Sequence, residues 1–359
     1  MASSKKITLL IAVPSLECGG LEKNVAFLAN NLNQNKFRVH IVIINNSNPF
    51  FQITNPGVEI TDLAAPGARK AMPALIKMAN KLQPNILLSA SNHLNLLCAI
   101  HKNKFPRGMK LLARESSIVS LNVRYGKFPW LYQQLLKHYY KKTDLIICQS
   151  AYMKTDLINH YGIPSEKVRV INNPVEMPDP PKENIPPYPV FISVGRLRPE
   201  KGMDDLLRAV SKLNSNFRFH LMGSGPEKEK LKSLASRLNL NDKLIFHGNR
   251  NAPFSIPEKP NLFLLGSHYE GFPNAVLEAG ALGIPTIAYD APGGISEIIH
   301  NEQNGFLVTP RNPELFAQTI QNALNFPFNR EAISKTTLLK FSPATILTEW
   351  TSLFEEIIT

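Results

Sequence analysis

Cysteine is scarce in this chain of 359 residues: there are three, Cys18, Cys98 and Cys148, far apart and without a CxxC pair. That argues against a disulfide framework or a zinc ribbon and for a reducing compartment. Long apolar runs are also missing. The stretch from Lys5 to Val13 is too short to cross a bilayer and is soon followed by a glycine pair and an amphipathic run, so it reads as a buried strand, not as a secretory signal. No histidine cluster has metal-ligand spacing, no DxD pair stands at a strand end, and no Ser/His/Asp signature is present. No nucleic-acid recognition motif accompanies the basic residues, so charge alone would have to carry that function. With 43% hydrophobic and 19% charged residues, the chain can bury sizeable cores and is not of disordered composition.

What is present is a charge imbalance. The formal net charge is +12, and residues 1–175 hold 22 Lys/Arg against 8 Asp/Glu while residues 176–359 hold 18 against 20. The excess peaks from Lys102 to Lys142, where ten basic residues face one acid before Asp144. Such a half suits an anionic partner, whether a membrane surface, a phosphorylated substrate or nucleic acid; solvated lysines on helix faces are the plainer reading.

Short apolar runs alternate with amphipathic ones. KITLLIAVP, FRVHIVII, PNILLSA, KLLAR and DLIICQS read as strands, and LEKNVAFLANNL as a helix with Leu21, Val25, Leu28, Ala29 and Leu32 on one side. Strands separated by helices predict right-handed crossovers and a parallel sheet. Seven prolines between 174 and 189 then mark a linker. Beyond it the pattern restarts with VFISVG, FRFHLMGSG, KLIFHG, NLFLLGS and PTIAYD as strands. The expected organisation is an α/β domain over 1–175, a second over 176–340, and an amphipathic stretch over 341–359 that could finish the second or cross back to the first. Two such domains imply a cleft between them, with ligands beyond the carboxyl ends of the strands.

Four stretches fall at such ends. In SLECGGLE, Gly19 and Gly20 allow backbone to approach a ligand beside a helix N-terminus, although a plain tight turn would look the same. SVGRLRPEKG places Arg196 and Lys201 between a strand and a helix, where they suit phosphate. In HYEGFPNAVLEAG, Pro273 fits the first helical turn, and the amides of Asn274, Ala275 and Val276 would point out from the helix start as an anion site. Glu270 precedes that helix and Glu278 lies inside it. Carboxylates only accept hydrogen bonds, so an anion site flanked by two of them fits a ligand with phosphate and hydroxyls, such as a nucleotide sugar. Taken alone, Glu278 would pass for a solvated helix residue. APGGISEII offers a further close backbone approach or simply a loop.

These stretches resemble, in order, the retaining GT-B glycosyltransferases of the large bacterial family that builds surface polysaccharides and lipid-linked glycans. The resemblance rests on GGLEKNVAFLANNL, NNPV, VGRLRPEKG, GSGPEKEKL and EGFPNAVLEAGALGIPTIAYDAPGG, the last with an E-x7-E pair at Glu270 and Glu278. It covers most of the chain and departs from the family where Pro260-Asn261 replaces the usual Ala-Asp.

The resemblance implies two Rossmann-like domains with a deep interdomain cleft. It implies that Glu278 holds the nucleotide ribose, that Glu270 positions the donor sugar, and that Arg196 and Lys201 stabilise the leaving diphosphate. Gly19 and Gly20 match a loop closing over the donor. His93 falls where the family often has a histidine near the reacting sugar, though as a lone histidine it is equally a structural one. Arg114 and Glu115 resemble an acceptor-side segment. The expected activity is retaining, metal-independent transfer of a hexose or N-acetylhexosamine from a UDP-sugar to a glycan or lipid-linked acceptor. No cofactor beyond the donor is expected. The mixed aromatic and basic stretch VRYGKFPWLYQQLLKHYYKK suggests a peripheral protein on the anionic inner face of the cytoplasmic membrane, or an ordinary helix with its aromatics in the core. A non-hydrolysing UDP-sugar epimerase of the same fold and an inactive nucleotide-sugar-binding partner are the alternatives.

Overall fold

A computed structural model describes residues 6–124 and 128–359. Tyr125, Gly126 and Lys127 of the aromatic and basic stretch lie outside the described residues. The chain divides into two compact units, 1–173 with 344–359, and 174–343.

The first unit is built on a parallel sheet of β1 (Ile7–Val13), β2 (Phe37–Ile43), β3 (Glu59–Asp62), β4 (Ile86–Ala90), β5 (Lys110–Arg114), β6 (Leu145–Cys148) and β7 (Val168–Val170), in the order β3-β2-β1-β4-β5-β6-β7. Helices α1 (Gly20–Asn31), α2 (Ala68–Leu82), α3 (Asn92–Ile100), α4 (Val119–Arg124), α5 (Pro129–Tyr139) and α6 (Ala151–Tyr161) make the crossovers. The central strands read as continuous apolar runs because helices cover both faces. One face of the sheet packs Val25, Leu28 and Ala29 of α1, and the other packs Ala71, Met72 and Leu75 of α2.

The second unit has β8 (Val190–Val194), β9 (Arg218–Met222), β10 (Leu244–Gly248), β11 (Leu262–Leu265), β12 (Thr286–Tyr289) and β13 (Gly305–Val308), all parallel, in the order β10-β9-β8-β11-β12-β13. Its helices are α7 (Met203–Val210), α8 (Lys228–Arg237), α9 (Asn274–Ala281), α10 (Pro313–Asn325) and α11 (Arg330–Lys340).

The last helix, α12 (Pro343–Glu356), joins the core of the first unit. Trp350 and Phe354 are buried, with Phe354 edge-on to Phe37 at 5.9 Å. Lys36 and Arg169 hold its outer side through Glu355 at 2.7 Å and Glu356 at 2.8 Å.

Three strands escape the sequence reading: β3, β7 and β13. They are short and lie at or next to sheet edges, so they lack the apolar run that marks an interior strand. β3 is half-charged and is tied to its neighbour by an Arg38–Glu59 ion pair at 2.7 Å.

Candidate functional site

In each sheet the strand order reverses at one place, between β1 and β4 and between β8 and β11. Ligands of doubly wound sheets bind beyond the carboxyl ends of the strands at such a switch point. In the second unit the connections leaving it carry Arg196, Lys201 and Glu270.

Glycine lets these connections touch. Gly202 ends the turn Pro199–Lys201 at φ 54°, and a Cβ there would overlap the carbonyl of Gly266, just as one on Gly266 would strike Gly202. Backbone contact between the two loops brings Lys201 Nζ to 2.5 Å from Glu270 Oε1, which also accepts from Ser267 Oγ at 2.7 Å. The paired side chains are 17% and 12% exposed. The loop after β12 joins them: Glu270 N–H donates to Pro292 O at 3.0 Å and its carbonyl accepts from Gly294 N–H at 3.2 Å. Gly293 between them sits at φ 126°, where a Cβ would overlap the Glu270 carbonyl. Sequence reasoning missed His268, whose Nε2 lies 3.0 Å from Asp205 Oδ2 and whose N–H donates to Glu200 O at 2.9 Å. Asp205, in the first turn of α7, therefore anchors this loop. The signal was a histidine three residues after a strand.

Arg196 is exposed at the end of β8. Helix α9 begins at Asn274 with Pro273 as its N-cap, one position earlier than the expected role in the first turn. The amide of Val276 is not free as expected, because it donates to Pro273 O at 3.1 Å and closes the first turn. Asn274 and Ala275 occupy that turn half-buried, and Glu278 lies about one turn further along the same side.

The first unit gathers its candidates around β1, β4 and β5. Gly19 caps α1 in an extended conformation open to any residue, so what its lack of a side chain provides is room: a Cβ there would meet the Glu22 carboxylate. Gly20 is the first residue of the helix. His93 is in the first turn of α3, its ring near-parallel to that of Tyr132 with centroids 6.4 Å apart. Burial lowers its pKa, and Arg69 adds to this.

Arg114 and Glu115 are buried at the end of β5. Arg114 donates to Asn173 Oδ1 at 3.0 Å, and its Nη1 has no hydrogen-bond partner. Burial pulls its pKa down to about 10, against the fields of Glu22 and Glu115. Glu115 Oε1 accepts from Asn95 at 2.7 Å and Tyr140 at 2.5 Å, and Asn92 reaches Oε2 at 3.5 Å. Burial still raises its pKa, because these bonds only partly replace water around the charge. Asn92 also accepts from Tyr132 at 2.7 Å, so a hydrogen-bonded path links Glu115 to the ring facing His93. Asn92, Asn95, Tyr132 and Tyr140 were not legible as a set. Among the described residues no group of three or more His, Cys, Asp or Glu is placed to hold a metal ion.

The family model for Glycosyltransferase Family 4 matches residues 18–177, and that for Glycosyl transferases group 1 matches 178–338. The chain belongs to the GT-B glycosyltransferases. It is similar to the lipopolysaccharide 1,6-galactosyltransferase of Escherichia coli, 31% identical over 67% of this chain and 66% of that one. It is also similar to a Campylobacter jejuni enzyme named N-acetylgalactosamine-N,N'-diacetylbacillosaminyl-diphospho-undecaprenol 4-alpha-N-acetylgalactosaminyltransferase, 27% identical over 88% of this chain and 89% of that one. The Anabaena protein HepE, solved with UDP-glucose, superposes with a TM-score of 0.80 at 19% identity, covering 98% of this glycosyltransferase and 100% of that chain. This last likeness concerns the fold.

Proposed function

We propose that this glycosyltransferase moves a hexose or N-acetylhexosamine from a UDP-sugar to a lipid-linked or lipopolysaccharide acceptor with retention of configuration. The observation that carries the reading is the Lys201–Glu270 pair at the switch point of the second sheet. It sets a cation for the leaving diphosphate against a carboxylate for sugar hydroxyls. Arg196 and the start of α9 add positive potential, and Glu278 takes the ribose hydroxyls. As the sugar C1–O bond to the diphosphate breaks, negative charge grows on the phosphate oxygen, where preorganised cations and amides act most strongly. The new bond forms from the acceptor oxygen to C1, and the acceptor proton passes to the departing diphosphate. The side chains Arg196 and Lys201 take the charge that a metal would otherwise carry. Both named relatives transfer such sugars, and the Anabaena fold relative binds UDP-glucose.

In the first unit, Gly19 and Gly20 serve the donor, His93 the reacting sugar, and Arg114 with Glu115 the acceptor side. No helix among the described residues is long and apolar enough to cross a membrane. Phe128 and Trp130 at the start of α5 are 73% and 71% exposed, and we place them against an anionic bilayer on its cytoplasmic side. Thermal unfolding with UDP-, GDP- and ADP-sugars tests the donor. A rise in Tm with the UDP compounds alone, lost in Glu278→Ala and Lys201→Ala, is the expected result. A rise with another nucleotide only, or with none, overturns it.

A further inference from the structure

A second titratable cluster lies on β9 and β10 of the second unit, outside the residues used above. His220 on β9 is 1% exposed, and its Nδ1 is 2.8 Å from Nε2 of His247 on β10. The rings are near-parallel with centroids 5.1 Å apart, close to the coplanar arrangement an in-line N–H···N bond needs. On its far side, His220 Nε2 faces Glu258 Oε2 at 3.2 Å. Glu258 is itself buried and is ion-paired through Oε1 with Arg218 at 2.7 Å.

The buried carboxylate gives this row a direction. It favours a proton on the facing Nε2 of His220. The Nδ1 of that neutral ring then accepts, so His247 must donate from Nε2. The Nδ1 of His247 is left bare, an acceptor on the one partly exposed member of the row. Burial lowers the pKa of both rings, to about 4 for His220, so the row is neutral near pH 7. The charged groups facing it are Glu258, Arg218 on β9, and Arg250 in the loop after β10.

His247 is also placed where ligands bind. It is the extra residue of a bulge, since Phe246 pairs with Leu221 and Gly248 with Met222. Bulges re-aim side chains next to active sites. Gly248 O accepts from Gly223 N–H at 2.8 Å, and Ser224 O accepts from Leu197 N–H at 2.8 Å, so the ends of β10, β9 and β8 are laced together. Arg196 is therefore two strands from His247, about 10 Å at the usual spacing between strands. That is the order of the distance between the diphosphate and the base of a nucleoside diphosphate.

We propose that Glu258, His220 and His247 form a directed relay whose outer end, His247 Nδ1, accepts a hydrogen bond from the base of the nucleoside diphosphate and selects an imide N–H. Uracil offers such a donor at N3, whereas cytosine offers a bare nitrogen there. The inference rests on the second unit holding the nucleotide, and it assigns base selection to these three residues.

The test compares UDP with CDP by titration calorimetry on the full chain and reads the His247 tautomer by 15N NMR. The wild type is expected to favour UDP by about tenfold, the worth of one hydrogen bond with a mismatched partner. His247→Ala should bring the ratio near one, and Glu258→Gln should lower it. In the free wild type, His247 should carry its proton on Nε2. A proton on Nδ1 overturns the relay. So does UDP preference unchanged in His247→Ala, which leaves the donor site standing. Failure of the wild type to bind either nucleotide overturns both.

Discussion

Lys201 and Glu270 are ion-paired at 2.5 Å across 69 residues of sequence, with both side chains mostly buried. The cation assigned to the donor diphosphate is therefore already neutralised, and an incoming phosphate must compete with Glu270 for it. Lys201→Ala should weaken UDP binding by about tenfold or more, consistent with the loss of a charge-assisted bond. Glu270→Ala should leave UDP binding equal or tighter while turnover with a full sugar donor collapses. Calorimetry with UDP and a turnover assay on the same variants separate the two effects. Weaker UDP binding in Glu270→Ala would contradict the competition.

Gly293 holds the β12 loop against the backbone of Glu270 at a φ of 126°. Gly293→Ala meets both a carbonyl and an unfavourable backbone conformation, so the loop must move. The expected cost is about 1–3 kcal/mol, together with loss of donor binding. Thermal unfolding and UDP titration check it, and a variant with native Tm and affinity would refute the packing argument.

Glu115 gives stability a pH dependence of known sign. Burial raises its folded pKa above the ordinary 4.5, so the folded state holds the proton more strongly than the unfolded one. Its contribution is full below 4.5 and falls as pH rises through the folded value. Glu115→Gln should remove that slope. Tm measured against pH for both proteins shows whether the difference between them grows on the alkaline side.

His220 acts in the opposite direction. Its folded pKa is lowered from 6.5 to about 4, so the unfolded chain takes up the proton first. Stability is complete above 6.5, declines as the medium is acidified towards about 4, and levels off below. A His220→Phe variant should be flatter over that interval whatever its absolute Tm. An unchanged slope would show that the ring is not held neutral.

The start of α5 predicts a membrane contact. Phe128, Trp130 and Leu131 are exposed, and the stretch from Lys102 to Lys142 around them holds ten basic residues against the single acid Glu115. Trp130→Ala should reduce binding to anionic vesicles by about tenfold, as the loss of one inserted aromatic would. Flotation with anionic and neutral vesicles checks this, and equal binding to both would refute the role of charge.

The alternation of apolar runs and helices was enough to read two parallel sheets, because interior strands such as β1 and β8 are apolar along most of their length. β3 was not legible: its sequence EITD carries two charges and borrows its place from β2. At the site, Glu270, Lys201 and Arg196 could be picked out one at a time because each follows a strand. Their contacts could not, since the pairing of Lys201 with Glu270 depends on two glycines meeting backbone to backbone. The hydrogen-bonded set around Glu115 was hidden for another reason. Asn92 and Tyr140, 48 positions apart, belong to no motif and acquire meaning only when the sheet brings them to one buried carboxylate.

Helix α12 carries a consequence for biosynthesis. Ile346, Trp350, Leu353 and Phe354 complete a hydrophobic core whose other members lie before residue 172. The ribosome must translate the whole of 174–343 between making the two halves of that core. The second unit, contiguous in sequence, has every one of its strands and helices in hand before α12 is synthesised. The first, although begun earlier, waits with an open apolar face through roughly 170 further residues, on the order of ten seconds or more at ordinary elongation rates. Domain order along the chain is thus the reverse of the order in which the two cores can close, and the nascent first unit is the species most exposed to aggregation.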